Sequence, residues 1–141
     1  MTAYLDTSAL VPIHVEEPSS RAVGEALGRL SELPTLSDYA VGEFSAVISR
    51  YMRMNLMSAS EARLSLDQFD DWVATSANMI LVETRDIRRA TSIVRQFDLK
   101  LRMPDALHVA VCVNRELPLV TRDRDMAAAA AALGLHVTSF A

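Results

Sequence analysis

The chain has 141 residues, 50% of them hydrophobic and 23% charged, with a formal net charge of −4 at pH 7. That composition excludes a disordered chain, and the negative balance excludes a domain that grips nucleic acid by bulk positive potential. The single cysteine, Cys112, excludes an intramolecular disulfide and any cysteine-rich zinc site. The length suits one domain over residues 1–141. No apolar run reaches membrane-spanning length. The amino terminus meets Asp6 at once and lacks the basic start of a signal peptide, so a cytoplasmic protein is expected.

Read in order, Ala3-Tyr4-Leu5 is a short strand stopping at Asp6, with Ser8 as the expected N-cap of a helix through Ala9–Ile13. Pro18 ends that unit, and Ser19 or Ser20 opens a helix to about Leu30. Leu33–Ser37 is a strand. Asp38 is the expected cap of a longer helix whose stripe is Ala40, Val41, Phe44, Val47, Ile48, Tyr51 and Met52. Ser58 and Glu61 form a capping box, starting a helix to about Ala74 with Ala62, Leu66, Phe69 and Val73 inward. Met79–Val82 is a strand, and Thr84 caps a helix carrying Ile87, Ala90, Ile93, Val94 and Phe97. Met103-Pro104-Asp105 opens a helix that is apolar nearly all round from Ala106 to Val113, hence deeply buried. A strand at Pro118–Thr121, an alanine-rich helix from about Asp125 to Leu133 ended by Gly134, and a strand at Leu135–Phe140 complete the chain. Short apolar strands alternating with helices predict a three-layer α/β/α sandwich around a mostly parallel sheet.

In such a sheet, ligands bind beyond the carboxyl ends of the strands. Asp6 and Asp123 each follow a strand, Asp105 lies in the first turn of the buried helix, and Glu43 sits at the margin of an apolar stripe. Each has an ordinary structural role open to it as a turn, cap, dipole or solvated residue. Together they form a constellation, because four carboxylates in one cleft repel each other and take up protons unless cations neutralise them. An all-oxygen donor set suits a hard cation, Mg²⁺ or Mn²⁺.

Asp6-Thr7-Ser8-Ala9-Leu10, Glu43, Asp105-Ala106-Leu107 and Thr121-Arg122-Asp123-Arg124-Asp125, in this order, resemble PIN-domain ribonucleases, and among them the VapC toxins of toxin–antitoxin pairs. The resemblance covers essentially the whole chain. It implies a metal-dependent endoribonuclease in which Asp6, Glu43, Asp105 and Asp123 bind one or two divalent metals. It further implies that Ser8 and Thr121 support the site through their hydroxyls, while Asp125 matches an acid of some members. Direct ligation is assigned to Asp6, Asp105 and Asp123; Glu43 either ligates metal or orients the attacking water. Implied partners are an RNA substrate such as a tRNA or rRNA loop, a cognate antitoxin lying along hydrophobic helices, and a second copy in a homodimer.

Other residues carry weaker signals. His108, one turn after Asp105, is expected to be a partly buried histidine beside the site, and the resemblance gives it no catalytic use. His14 and His136 have no partner pattern, and Cys112 is expected in the core. Arg50 with Arg53, and Arg85 with Arg88 and Arg89, are expected as solvated helix faces able to touch phosphate. Met52, Met54 and Met57 exceed what one inward stripe needs and suit a partner surface. Two other functions compete: a catalytically silent PIN-like binding module, and an acidic-cluster phosphotransfer domain. The second lacks a paired aspartate after Asp6 and has no lysine beyond Lys100. No glycine-rich phosphate loop follows a strand.

Overall fold

The computed structural model describes residues 2–141. Five strands, β1 (Tyr4–Leu5), β2 (Thr35–Ser37), β3 (Asn78–Ile80), β4 (Leu119–Thr121) and β5 (Val137–Ser139), form one sheet in the order β3-β2-β1-β4-β5. Every pairing is parallel, so the expected mostly parallel sheet is wholly parallel. The helices are α1 (Thr7–His14), α2 (Ser20–Gly28), α3 (Asp38–Arg53), α4 (Ala59–Ser76), α5 (Thr84–Val94), α6 (Met103–Arg115) and α7 (Arg124–Ala132). A single 3₁₀ turn, Phe97–Leu99, links α5 to α6.

Side-chain alternation along the strands divides the core into two layers. Tyr4 and Leu119 pack among residues of α5, α6 and α7. Their neighbours Leu5 and Val120, with Leu36, pack among residues of α1, α3 and α4. Every residue of α6 from Ala106 to Cys112 is buried, as its all-round apolar sequence requires. The α4 capping box of Ser58 and Glu61 forms as expected, and Gly134 ends the α7 segment at φ 88°.

Three caps differ from expectation, because each helix starts one or two residues sooner than its sequence suggests. Asp6, not Ser8, caps α1 and accepts from the Ala9 N–H. Ser37, not Asp38, caps α3 and accepts from the Ala40 N–H. Glu83, not Thr84, precedes α5. Asp38 instead accepts from the Val82 N–H at 2.9 Å, tying the start of α3 to the exit of β3. In α5 the inward row is Asp86, Ala90 and Ile93. The expected inward residues Ile87 and Phe97 are exposed, because Asp86 holds the buried place in the first turn and α5 ends before Phe97.

The order 3-2-1-4-5 has its switch point between β1 and β4, where successive connections depart in opposite directions. Open parallel sheets form a crevice at the carboxyl end of such a point.

Candidate active site

Asp6 leaves β1 and Asp123 leaves β4, so both stand at the switch point. Both are helix N-caps: Asp6 for α1, and Asp123 for α7, where its Oδ1 accepts from the Met126 N–H at 2.9 Å. Asp105 is the third residue of α6. Three helix N-termini therefore carry an acid at or near the same edge, and their dipoles offset part of the carboxylate charge.

Asp6 is the most enclosed, at 2% exposure. Its Oδ2 accepts from the Thr121 hydroxyl at 3.0 Å and its Oδ1 from the Ala9 N–H at 3.2 Å. The Ser8 hydroxyl lies within bonding distance of both carboxylate oxygens, 2.8 and 2.9 Å. Ser8 Oγ in turn accepts from the Arg122 N–H at 2.8 Å, and Thr121 Oγ1 accepts from the Asp123 N–H at 3.0 Å. The two hydroxyl residues thus stitch the end of β1 to the end of β4. Burial pushes the Asp6 carboxyl upward; nearby His108 and the bonds from Ser8, Thr121 and Ala9 oppose it without cancelling it.

Glu43 reaches the same edge from α3. Burial disfavours its charge, but hydrogen bonds from His108 and Thr7 outweigh that and hold its carboxyl below the usual range. The Thr7 hydroxyl donates to Glu43 Oε1 at 2.7 Å, and His108 Nε2 lies 2.5 Å from the same oxygen. Asp105 is shifted upward, first by burial, then by repulsion from Asp123, with Glu43 adding to it. The cation facing Asp105 is Arg102, 3.9 Å away and 86% exposed, a pair worth little in water. Asp105 thus lies within the field of both Asp123 and Glu43.

Asp125 lies exposed in the first turn of α7, and no hydrogen bond or ion pair joins it to the four acids. Thr7 and Tyr4 were not singled out from sequence; a threonine next to Asp6 gives no pattern, and Tyr4 reads simply as a strand residue.

The residue chemistry suits a divalent cation: oxygen donors, Asp6 among them buried, with Asp105 repelled by Asp123 and Glu43 and, among the described residues, no buried lysine or arginine paired to them. Among the described residues, however, no three such side chains converge closely enough to hold a metal ion, and hydroxyls, amides and His108 bond to several of the oxygens. Ionised carboxylates accept about four hydrogen bonds each, so the oxygens so engaged retain capacity.

The PIN domain profile matches residues 3–132, which takes in all four acids and the whole of the switch point. The chain belongs to the PIN domain family. No curated protein sequence matches it significantly. Among solved structures, FitAcB from Neisseria gonorrhoeae has a TM-score of 0.75 at 16% identity, over 97% of this PIN domain chain and 96% of that one. VapC20 of Mycobacterium tuberculosis, a sarcin-ricin-loop-cleaving toxin, has a TM-score of 0.73 at 16% identity, over 92% and 95%. A toxin–antitoxin complex from Klebsiella pneumoniae has a TM-score of 0.65 at 22% identity, over 89% and 90%. At such identities the likeness is one of PIN fold.

Two depressions flank Glu43 in this PIN domain. One, of about 410 Å³, is lined by Asp38, Tyr39, Gly42, Glu43, Ala46 and Val82. The other, of about 350 Å³, is lined by Thr7, Glu43, Ala46, Val47, Arg50 and Arg53. Arg50 and Arg53 are exposed, and among the described residues neither is paired with a carboxylate. The Arg85, Arg88 and Arg89 cluster lines a separate depression with Asn114 and Glu116, away from the acids.

Proposed function

We propose that this PIN domain is a divalent-metal-dependent endoribonuclease acting as the toxin of a toxin–antitoxin pair. What supports the reading is that Asp6 and Asp123 leave neighbouring parallel strands at the switch point, that Asp123 and Glu43 both push the Asp105 carboxyl upward, and that among the described residues no buried lysine or arginine pairs with these acids. Family membership and the toxins among the structural relatives support the same reading.

Asp6, Asp105 and Asp123 would hold Mg²⁺ or Mn²⁺, with Glu43 as a further ligand or as the group orienting the attacking water. Such a cation supplies the acidification of water and the charge neutralisation that in-line attack on phosphorus needs. Ser8 and Thr121 keep Asp6 in place through their hydroxyls. The depressions on either side of Glu43 offer a path for a single strand. Tyr39 presents a ring on one side, able to stack on a base. Arg50 and Arg53 present guanidinium groups on the other, able to fork a backbone phosphate.

The antitoxin would dock on the exposed apolar side chains around the turn between α3 and α4, where Met52, Met54, Leu56 and Leu64 are 40–66% exposed. A homodimer and a cytoplasmic setting belong to the same proposal; among the described residues no helix is long and apolar enough to cross a membrane.

The test is cleavage of a tRNA and rRNA panel by purified protein in Mg²⁺, Mn²⁺ or EDTA, with Asp6→Asn alongside. Metal-dependent cleavage lost in the variant is the expected result; full activity in Asp6→Asn would sink the assignment. A catalytically silent RNA-binding module is the second reading. It is favoured by the internal hydrogen bonds that already occupy Asp6 and Glu43, and it predicts EDTA-insensitive RNA binding with no cleavage.

A further inference from the structure

His108 is 2% exposed and stands between two hydrogen-bonding partners. Its Nδ1 lies 2.7 Å from the Tyr4 hydroxyl and its Nε2 lies 2.5 Å from Glu43 Oε1. Tyr4 is itself fully buried, and its oxygen lies 2.8 Å from Ser37 Oγ, which accepts from the Ala40 N–H at 3.1 Å. Donor accounting gives this chain of bonds a direction. An ionised Glu43 has no proton to donate, so Nε2 must carry one. In a neutral imidazole Nδ1 must then accept, so the Tyr4 hydroxyl donates to it. The Tyr4 oxygen then accepts from Ser37, whose Oγ accepts from Ala40. Each group has a partner of the right kind, which a buried chain requires.

The chain begins and ends on α3. Ser37 caps that helix and Glu43 lies on it, while Tyr4 of β1 and His108 of α6 close the circuit. Both donors to Glu43, Thr7 and His108, use Oε1. Among the described residues, Oε2 receives no hydrogen bond from a side chain.

We propose that His108 is a positioning residue. With Thr7 it occupies Oε1 of Glu43, so that Glu43 has one defined orientation and offers only Oε2 to a cation or water at the acidic edge. Tyr4 fixes the imidazole tautomer that makes this possible. The catalytic consequence rests on the nuclease reading; the tautomer and the orientation do not. Outer partners that orient a ligand typically change metal affinity or activity by about 10–100-fold when removed.

Two measurements test the two parts separately. In metal-free ¹⁵N-labelled protein, long-range ¹H–¹⁵N correlations of the His108 ring should show the Nε2–H tautomer, and Tyr4→Phe should weaken that preference. An Nδ1–H tautomer in the wild type overturns the proposal. Mn²⁺ titration by calorimetry, with RNA cleavage kinetics, then compares His108→Leu and His108→Gln. His108→Leu should weaken Mn²⁺ binding and lower kcat by about 10–100-fold with little change in the KM for RNA. His108→Gln, whose amide can still donate to Oε1, should recover most of both and preserves side-chain volume if the leucine variant fails to fold. Wild-type Mn²⁺ affinity and kcat in a folded His108→Leu overturn the proposal. A protein that shows the Nε2–H tautomer but neither binds Mn²⁺ nor cleaves RNA upholds the His108–Glu43 arrangement and defeats the nuclease reading alone.

Discussion

Asp86 and Asp6 are both buried aspartates at the beginning of a helix, at 0% and 2% exposure, yet their surroundings are opposite. Asp86 meets a guanidinium fork: Arg115 Nη1 lies 2.7 Å from its Oδ1 and Nη2 lies 3.0 Å from its Oδ2. Asn114 and the Glu83 N–H add two more donors at 2.8 Å. Burial works against this charge, but Arg115, Glu83 and Asn114 together bring the carboxyl down to about 2. Asp6 receives only hydroxyl and amide donors, and burial wins, so its carboxyl is raised. A buried charge that the chain neutralises is part of its scaffold. Asp6 has no such fork, and under the proposed function its charge is met by a cation from outside.

Asp6→Asn breaks the comparison at its most sensitive point. Cleavage should fall by more than about 100-fold, since even the outer partners of a metal ligand are worth 10–100-fold. Stability should hold or rise, because a disfavoured buried charge is removed; thermal denaturation beside the cleavage assay checks both. The opposite pattern is expected at the other aspartate. Arg115→Met strands Asp86 without its cation and should cost about 3–5 kcal/mol, measured by urea denaturation. Activity per folded molecule should not change. Replacing both partners, Asp86→Leu with Arg115→Met, should recover much of that loss, since an apolar pair of similar volume needs no cation.

A third group, half-buried His14, sharpens the contrast because one of its ring nitrogens is buried without a polar partner. His14 sits edge-on to Phe44, Phe69 and Trp72, with ring centroids 4.8–5.6 Å away, and its Nε2 is buried without a hydrogen bond. Burial lowers it from 6.5 to about 4. Between those values the unfolded chain binds the proton and the folded one does not, so stability falls as pH drops from 6.5 to 4. His14→Leu should flatten that limb of a urea-denaturation series. Asp86 acts in the next window. Its contribution is complete above its ordinary 3.8 and is lost as pH falls toward 2, so acid unfolding should proceed in two ranges with separate mutational signatures.

These contrasts also explain what could be read without coordinates. The burial of α6 was legible because a helix apolar all round has only one place to go. The shared edge of Asp6 and Asp123 was legible because parallel strands send their carboxyl ends to one side of the sheet. The Asp86–Arg115 pair was not, since its members are 29 residues apart and an acid in a first helical turn has an ordinary explanation. His108 was read as a partly buried bystander. Its bond to Glu43 spans 65 residues and depends on how α3 and α6 approach, which no periodicity encodes. Ser8 was expected as the cap of α1 and, from the resemblance, as a support of the site; Asp6 takes the cap, and the serine hydroxyl bridges Asp6 and the Arg122 N–H.

The smallest expected effect concerns arginines rather than acids. Arg115 is committed to Asp86 inside the fold, whereas Arg50 and Arg53 stand at the rim of the groove that ends at Glu43. Arg53 donates to the Ser49 hydroxyl at 2.7 Å, and Arg50 lies 5.9 Å from the Tyr51 ring; neither contact neutralises the charge. On a chain of net charge −4, two such cations beside an acidic centre give a negatively charged strand a local reason to enter. Arg50→Ala should raise the KM for RNA with kcat nearly unchanged, and Arg53→Ala should act in the same direction. Each lost phosphate contact should reduce the slope of log binding against log salt by about 0.7, the value for a single strand. The same substitutions at Arg85 and Arg88 should leave that slope alone, because their groove lies against the paired Asp86 rather than the unpaired Asp6. A salt slope moved equally by both sets would mean that RNA follows the protein's general surface charge and not the path through Glu43.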